Sequence, residues 1–469
     1  MSVSVAVLAL TGCASTAIDR NFEATRQFGR EQFATDLRWL TTDEARGQAQ
    51  ADVDARLAQP LGADDAVQIA LAYSPAFQAM LFEGAADTVS AVQSARLPNP
   101  VFAFERLVRN EAGARELEIT RTLSVSVLDL LLLPARLRLA DYRQQTARLA
   151  LAGNVVEIAA DARAAWINAV AAAQSARYFE QVKATADAGA ELARRMQAVG
   201  NYSRLQRARE QAFSADAVAQ LARARQAARS TREALVRALG LNDAQAASLK
   251  LPDRLPDLPK APREEAAVAQ SAIGLRLDVQ IARASLDFIA REQGLTRITS
   301  VVNGLEVGGT TKSESNLARQ KGYDLSLPLP IFDFGDARRA GAQAAYLAAL
   351  NRAAQVAIEA SSNVRQQYGA YRTAYDVARH YRDEIVPLRK TIAEENVLRY
   401  NAMLIGVFEL LADAREQISS VVQAIEAQRD FWLAEAGLQT SLLGRPMAPL
   451  TGSSDASQTR TGKGPSERN

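Results

Sequence analysis

Long runs of the chain repeat apolar residues at steps of three and four. Leu221, Ala224, Ala228, Thr231, Leu235 and Ala238 form one such seam. Leu347, Leu350, Ala354, Ala357, Ser361 and Val364 form a second, and Ile418, Val421, Ile425, Gln428 and Trp432 a third. This is the heptad spacing of helices packed side by side. No proline interrupts Ala135 to Leu251. The 64 residues from Arg136 to Gly200 would span about 96 Å as a single helix. A compact domain has no room for that, so the pattern predicts a rod, a coiled coil or a tube.

Elsewhere the period falls to two. In RELEITRTLSVSV, Leu117, Ile119, Leu123, Val125 and Val127 share one face, with Arg121 the exception among them. Glu116, Glu118, Thr120, Thr122, Ser124 and Ser126 take the other. In YDLSLPLPI, Tyr323, Leu325, Leu327, Leu329 and Ile331 alternate with polar residues and prolines. PNPVFAFER, from Pro98, and LTRITSVVNGLEVGG, from Leu295 to Gly309, supply a partner for each. A two-faced strand fits a half-buried soluble sheet or a barrel wall. Four strands cannot close a barrel, since the smallest single-chain ones use about eight. An open edge in lipid leaves backbone groups unsatisfied at several kcal/mol each. If the strands lie in a membrane, several chains must pool them.

The chain is also duplicated. LSVS at Leu123 meets LSLP at Leu325, an offset of 202, and Ala135-Arg136 meets Ala337-Arg338 at the same offset. RMQAVGNYSRLQRAREQ, from Arg195, meets RYNAMLIGVFELLADAREQ, from Arg399, at an offset of 206; Gly200 then falls on Gly406 and Tyr202 on Phe408. The two halves are expected at 64–250 and 264–444, with strands about 98–127 and 295–331 and hairpin tips near 200 and 406. Between them the linker 251–263 carries Pro252, Pro256, Pro259 and Pro262 and cannot be helix. Pro387 is expected to break or kink its helix near Val386.

Composition sharpens this picture. The chain is 48% apolar but only 6% aromatic, which favours close helix packing through alanine. With 55 basic and 53 acidic residues dispersed along it, no clustered basic face marks a nucleic-acid partner. Cys13 is the one cysteine, so no internal disulfide exists. It ends VSVAVLALTGC, an apolar run closing in small residues, as secretory leaders do. Residues 1–12 are therefore expected to be a signal peptide, although no Lys or Arg precedes the run, which points to a start codon upstream. Residues 13–63 are expected to be an extended N-terminal segment along the outside, and 445–469 a disordered tail.

Leu10-Thr11-Gly12-Cys13 resembles a bacterial lipoprotein signal, which implies lipidation of Cys13. From about Asp64 to Gly444 the chain resembles the TolC-like outer-membrane efflux family, most closely at RLPNPVF, at LPIFDFGDARRA and at the stretch around Gly406. The fold class this implies is mostly α with a small β part. Two tandem helical hairpin repeats would form a long helical barrel, and four strands per chain would contribute to a shared, trimeric, transmembrane β-barrel. The chain would be an outer-membrane channel subunit of a tripartite efflux pump. It would be a homotrimer, lipid-anchored in the outer membrane and reaching into the periplasm. It would serve as a passive exit duct opened by a periplasmic adaptor (membrane fusion) protein and an inner-membrane pump.

The resemblance also implies roles for residues. The hairpin tips would be the periplasmic mouth, where Val199, Gly200, Asn201, Tyr202, Ser203 and Leu205 meet the adaptor together with Ile405, Gly406, Val407, Phe408 and Leu410. Glu409 matches the first acidic position of the family's constriction. Asp413 is displaced by one residue from the second, where Ala412 stands. Tyr400 matches a tyrosine that holds the closed state by hydrogen bonding.

Nothing in the sequence suggests catalysis. His380, the single histidine, stands among Arg379, Tyr381 and Arg382 without metal-ligand spacing. GLEVGGT lacks the lysine of a phosphate loop. No catalytic residue, metal ligand or cofactor is expected. The rival reading is a periplasmic coiled-coil scaffold or adaptor lipoprotein; against it, both halves carry long hairpins where adaptors usually carry one.

Overall fold

The computed structural model describes residues 12–111, 114–265, 276–300, 304–315 and 317–444. Four helices open it: α1 (Gly12–Phe33), α2 (Asp43–Leu57), α3 (Ala63–Tyr73) and α4 (Pro75–Ser94). Strands β1 (Val101–Glu111) and β2 (Ala114–Ser126) lead into α5 (Val127–Ala198), α6 (Arg204–Leu239) and α7 (Asp243–Ser248). The second repeat holds α8 (Leu277–Thr299), β3 (Glu306–Glu314), β4 (Gln320–Ser326) and α9 (Asp336–His380). A π-helical turn, Tyr381–Ile385, joins α9 to α10 (Val386–Asn401), and α11 (Val407–Leu442) returns.

The 72 residues of α5 extend about 108 Å and pass through Pro134 near their start. Ser126 caps this helix, its hydroxyl accepting from the Asp129 amide at 3.3 Å. α5 and α6 form the first hairpin; α9, α10 and α11 form the second. The π-helical turn falls immediately before Pro387, where the proline withholds an amide and crowds the preceding turn.

Both hairpins are gathered at a waist. Trp166, Ile167 and Val170 of α5, Leu235 and Leu239 of α6 and Leu433 of α11 are buried in one cluster there with Val53 and Leu57 of α2. Trp166 donates its indole N–H to the Leu61 carbonyl at 2.7 Å. The proline linker is pinned to the second hairpin. Trp432 donates to the Pro256 carbonyl at 3.0 Å and Tyr375 to that of Pro259 at 3.1 Å. Arg276, 2% exposed, ties the start of α8 to α11 and α9, donating to the carbonyls of Ser441 at 2.7 Å and Ala360 at 3.2 Å.

Three expectations need correction. The segment 13–63, expected to be extended, holds α1 and α2, because Leu37, Val53, Leu57 and Leu61 are fully buried against the waist and α4. LTRITS is not strand: α8 runs to Thr299, and β3 lies at Glu306–Glu314. β4 ends at Ser326, since Pro328 and Pro330 have no amide to donate to a ladder. The seams also fared differently. Leu221 and Leu235 face inward; of the second seam Val364 is buried but Leu347 and Leu350 are exposed, and Ala360, Tyr371 and Tyr375 are buried off the seam. An alanine-rich helix offers several equivalent seams, and the aromatic residues decide which one the chain itself covers. Residues 1–11 of the expected leader and 445–469 of the expected tail lie outside the described residues.

Candidate functional site

Two places carry the chemistry: the hairpin tips and the sheet at the opposite end. At the first tip α5 stops at Ala198 and Gly200 takes a left-handed φ of 79°. The Gly200 amide donates to the Gln197 carbonyl at 3.0 Å and the Asn201 amide to that of Met196 at 2.9 Å. Ser203 then caps α6 in a reciprocal box with Gln206. At the second tip the left-handed residue is Met403, at φ 60°. Its amide donates to Tyr400 and that of Leu404 to Arg399, both at 2.9 Å.

The expected equivalence of Gly200 and Gly406 is therefore corrected. Gly406 has φ −81° and ψ 159°, extended backbone, and is the N-cap of α11. Its counterpart is Ser203, and the turns superimpose at an offset of 203 residues, not 206. The shared Ala-Arg-Glu-Gln tetrapeptide lies nearly one helical turn out of this register.

Of the expected tip residues, Val199 and Leu205 are exposed, while Tyr202, Ile405 and Leu410 are half-buried. The backbones of Val407 and Phe408 open α11; their side chains lie outside the described set. Met403, 92% exposed, and Leu404, 75% exposed, were missed, because no turn-forming residue marks them. Tyr202 and Tyr400 approach each other from the two tips. Burial, with Tyr400 and Glu210 nearby, pushes the Tyr202 phenol above its ordinary range. Glu409 is exposed at the start of α11, whereas Asp413 accepts a hydrogen bond from the Asn396 amide group. The hairpins are bridged by Arg415 of α11. It pairs with the buried Glu210 of α6 at 3.5 Å and stacks over Phe213 at 4.3 Å.

At the other end the strands form one antiparallel sheet in the order β1-β2-β3-β4, so β2 and β3 join the two repeats. The register aligns Phe102, Leu123, Gly309 and Tyr323 in one row, and Val125, Val307 and Leu325 in another on the same face. The opposite face carries Thr122, Thr310 and Asp324, linked by hydrogen bonds of 3.0 and 3.1 Å, and the Lys312–Glu118 ion pair at 2.7 Å. One face is thus mostly apolar and exposed, the other polar and internally bonded. β1 and β4 each leave an edge unpaired.

A sheet and long paired hairpins in this order have close counterparts among solved structures. The outer membrane channel CmeC of Campylobacter jejuni matches with a TM-score of 0.69 at 14% identity, over 84% of this chain and 87% of that one. The outer membrane protein VceC of Vibrio cholerae gives 0.67 at 13% identity, over 85% and 98%. The open-state MtrE outer membrane channel of Neisseria gonorrhoeae gives 0.65 at 17%, over 83% and 90%. The chain has the TolC-like fold. No protein-family profile matches the sequence, and neither does any curated protein.

Within this TolC-like fold the motif LPIFDFGDARRA is a joint. Asp333 accepts from the Gly335 amide at 2.7 Å and pairs with Arg338 at 3.0 Å. Arg339 donates to the Ser300 hydroxyl at 2.9 Å. Gly335 has φ 74°, and a Cβ there would lie 2.4 Å from the Ser300 carbonyl oxygen. The first repeat makes a related joint, where Arg136 pairs with Asp129. Cys13 lies in the first turn of α1. Among the described residues no group of three or more His, Cys, Asp or Glu could hold a metal ion, and no helix is long and apolar enough to cross a membrane.

Proposed function

We propose that this chain is one subunit of a trimeric outer-membrane efflux duct. The observation that carries the proposal is the sheet: four strands, two open edges, one exposed apolar face and one polar face. Backbone edges in lipid must be paired, and three copies joined edge to edge would close a barrel, with apolar residues outward and polar ones lining water. The long hairpins would continue that barrel through the periplasm.

In this reading the tips are the far mouth of the duct. Val199, Leu205, Met403 and Leu404 offer apolar side chains to a periplasmic adaptor, which an inner-membrane pump would engage. Threefold symmetry would make Glu409 a carboxylate ring favouring cations, with Tyr400 and Asp413 close by. Cys13 would carry the lipid that holds α1 at the membrane. The solved neighbours are channel proteins, and nothing in the duct requires a reaction.

Electron microscopy of the detergent-extracted full-length protein tests this. Threefold tubes about 100 Å or longer are expected. Monomeric rods or compact particles would overturn the duct and leave a coiled-coil scaffold or adaptor lipoprotein as the better reading.

A further inference from the structure

Past Gly444 the chain continues as Arg445-Pro446-Met447-Ala448-Pro449-Leu450. These six lie outside the described residues, but the point from which they leave is defined. α11 is closed by a left-handed Gly444, at φ 87°, whose amide donates to the Ser441 carbonyl at 3.1 Å. The Leu277 amide donates to the Leu443 carbonyl at 3.0 Å, which ties this exit to the start of α8. Leu443 is also one end of a groove of about 700 Å³ between the two repeats.

One wall of the groove is a face of α5 from Val156 to Ile167, and the other a face of α11 from Trp432 to Leu443. Each wall is about 16 Å long at the helical rise. α5 runs toward the tips and α11 away from them, and Arg163 of the first donates to Gln439 of the second at 2.8 Å. Phe33 packs with Val156 and Leu443 at one end. Trp432 and Pro256 stand at the other. Each wall also holds a polar atom without a hydrogen-bond partner among the described residues, Arg163 Nε and Glu435 Oε2. Buried groups of this kind are costly to leave unpaired.

We propose that Pro446 to Leu450 of the same chain lies in this groove as a strap across the two repeats. In the extended polyproline conformation Arg445 to Leu450 would cover about 19 Å, enough to run the length of the walls. Pro446 and Pro449 are one turn of that conformation apart and so share an edge. This is the spacing that aromatic-lined grooves recognise, and here Phe33 and Trp432 line the two ends. A polyproline segment makes no backbone hydrogen bonds of its own, so it has carbonyls to offer Arg163 and amides to offer Glu435. Beyond Leu450 the match ends: from Thr451 to Arg460 the one apolar side chain is Ala456. Tethering at Gly444 sets an effective concentration of about a millimolar, so modest intrinsic affinity fills the groove. The strap would hold α5 of the first repeat to α11 of the second at the waist. It goes beyond the duct reading and applies to a single copy of the chain.

The test is disulfide trapping in the full-length, detergent-purified protein carrying Cys13→Ser. Met447→Cys combined with Ala160→Cys should form an intrachain disulfide about tenfold faster than Ser457→Cys combined with Ala160→Cys, read by peptide mass spectrometry. Adding Pro446→Gly and Pro449→Gly should slow the first reaction about tenfold, because the segment loses its preformed conformation. Amide hydrogen exchange of the native chain keeps the test readable if Ala160→Cys fails to fold. Met447, Ala448 and Leu450 should then exchange about tenfold more slowly than Ser453 and Ser457, after correction for intrinsic rates. Equal trapping from positions 447 and 457, or unprotected amides from Met447 to Leu450, would overturn the strap. Disulfides formed only between chains would overturn the intrachain seat and assign the groove to a second copy.

Discussion

Gly200 and Met403 take the same left-handed position in the two hairpin turns, at φ 79° and φ 60°. Gly406, which sequence alignment pairs with Gly200, stands at the cap position held by Ser203 in the first repeat. The reassignment has opposite consequences for one substitution at two glycines. Gly406→Ser should stabilise the protein by about 0.3–0.5 kcal/mol, because a serine cap with Glu409 at the third helical position completes a capping box. Gly200→Ser should destabilise it by about 1–2 kcal/mol through left-handed strain, although no atom lies within 4 Å of a Cβ there. Thermal unfolding of both variants decides it; destabilisation by Gly406→Ser would restore the original pairing.

Arg415 supports the buried Glu210 across the two hairpins. Arg415→Met should cost about 3 kcal/mol, since it leaves a carboxylate buried without its partner. Adding Glu210→Gln should recover most of the loss. A double-mutant cycle by denaturant unfolding measures the coupling, and additive losses would remove the bridge from the account.

Asp36 is held between Arg26 and Arg30 of α1, at 2.7 Å from each. The hydrogen bond from Arg26, with a further one from Arg30, lowers its carboxyl to about 2. A folded value below the unfolded one gives stability that is present above about pH 4 and lost as pH falls through about 2. The pair is partly exposed, so Asp36→Asn should cost only about 0.5–1 kcal/mol at pH 7. The gap between variant and native protein should close by pH 2 in thermal melts; a gap that persists there would show that charge is not its source.

Among the described residues, Met403 and Leu404 are the most exposed apolar side chains of the second tip. Leu404→Arg should impair efflux in cells by about tenfold or more, as loss of an apolar anchor of an interface does. Trimer assembly should be unchanged by gel filtration. Normal efflux would argue against docking at the tips. In single-channel recordings Glu409→Ala should lower cation preference, and an unchanged preference would take Glu409 away from the constriction.

Cys13→Ser should abolish labelling by radioactive palmitate. Labelling that persists would rule out the lipid anchor at that residue.

Periodicity alone was enough to predict the long hairpins. Heptad spacing and the absence of proline from Ala135 to Leu251 mark this stretch as helical, and packing of the apolar seams supplies most of its stability. Strict alternation from Leu117 to Val125 likewise separated the faces of β2, with Arg121 visible as the exception. Proline placed the linker and the π-helical turn, because it removes an amide wherever it stands.

Other features were settled only by packing. Leu37 and Leu57 look like isolated apolar residues in a polar segment, yet their burial makes α1 and α2 part of the body. The choice of Tyr371 and Tyr375 over Leu347 and Leu350 as core depends on what lies opposite α9, which its own sequence does not record. Met403 has no conformational signature, and its left-handed backbone is imposed by the hydrogen bonds closing the ends of the two helices. Local pattern was enough for the long helices and for β2, because hydrogen bonding and alternation act between near neighbours, but it misread 13–63 and LTRITS. Tertiary structure decided the register of the two tips, the partner of Glu210 and the common face of Phe102, Leu123 and Tyr323, because these relate residues far apart in the chain.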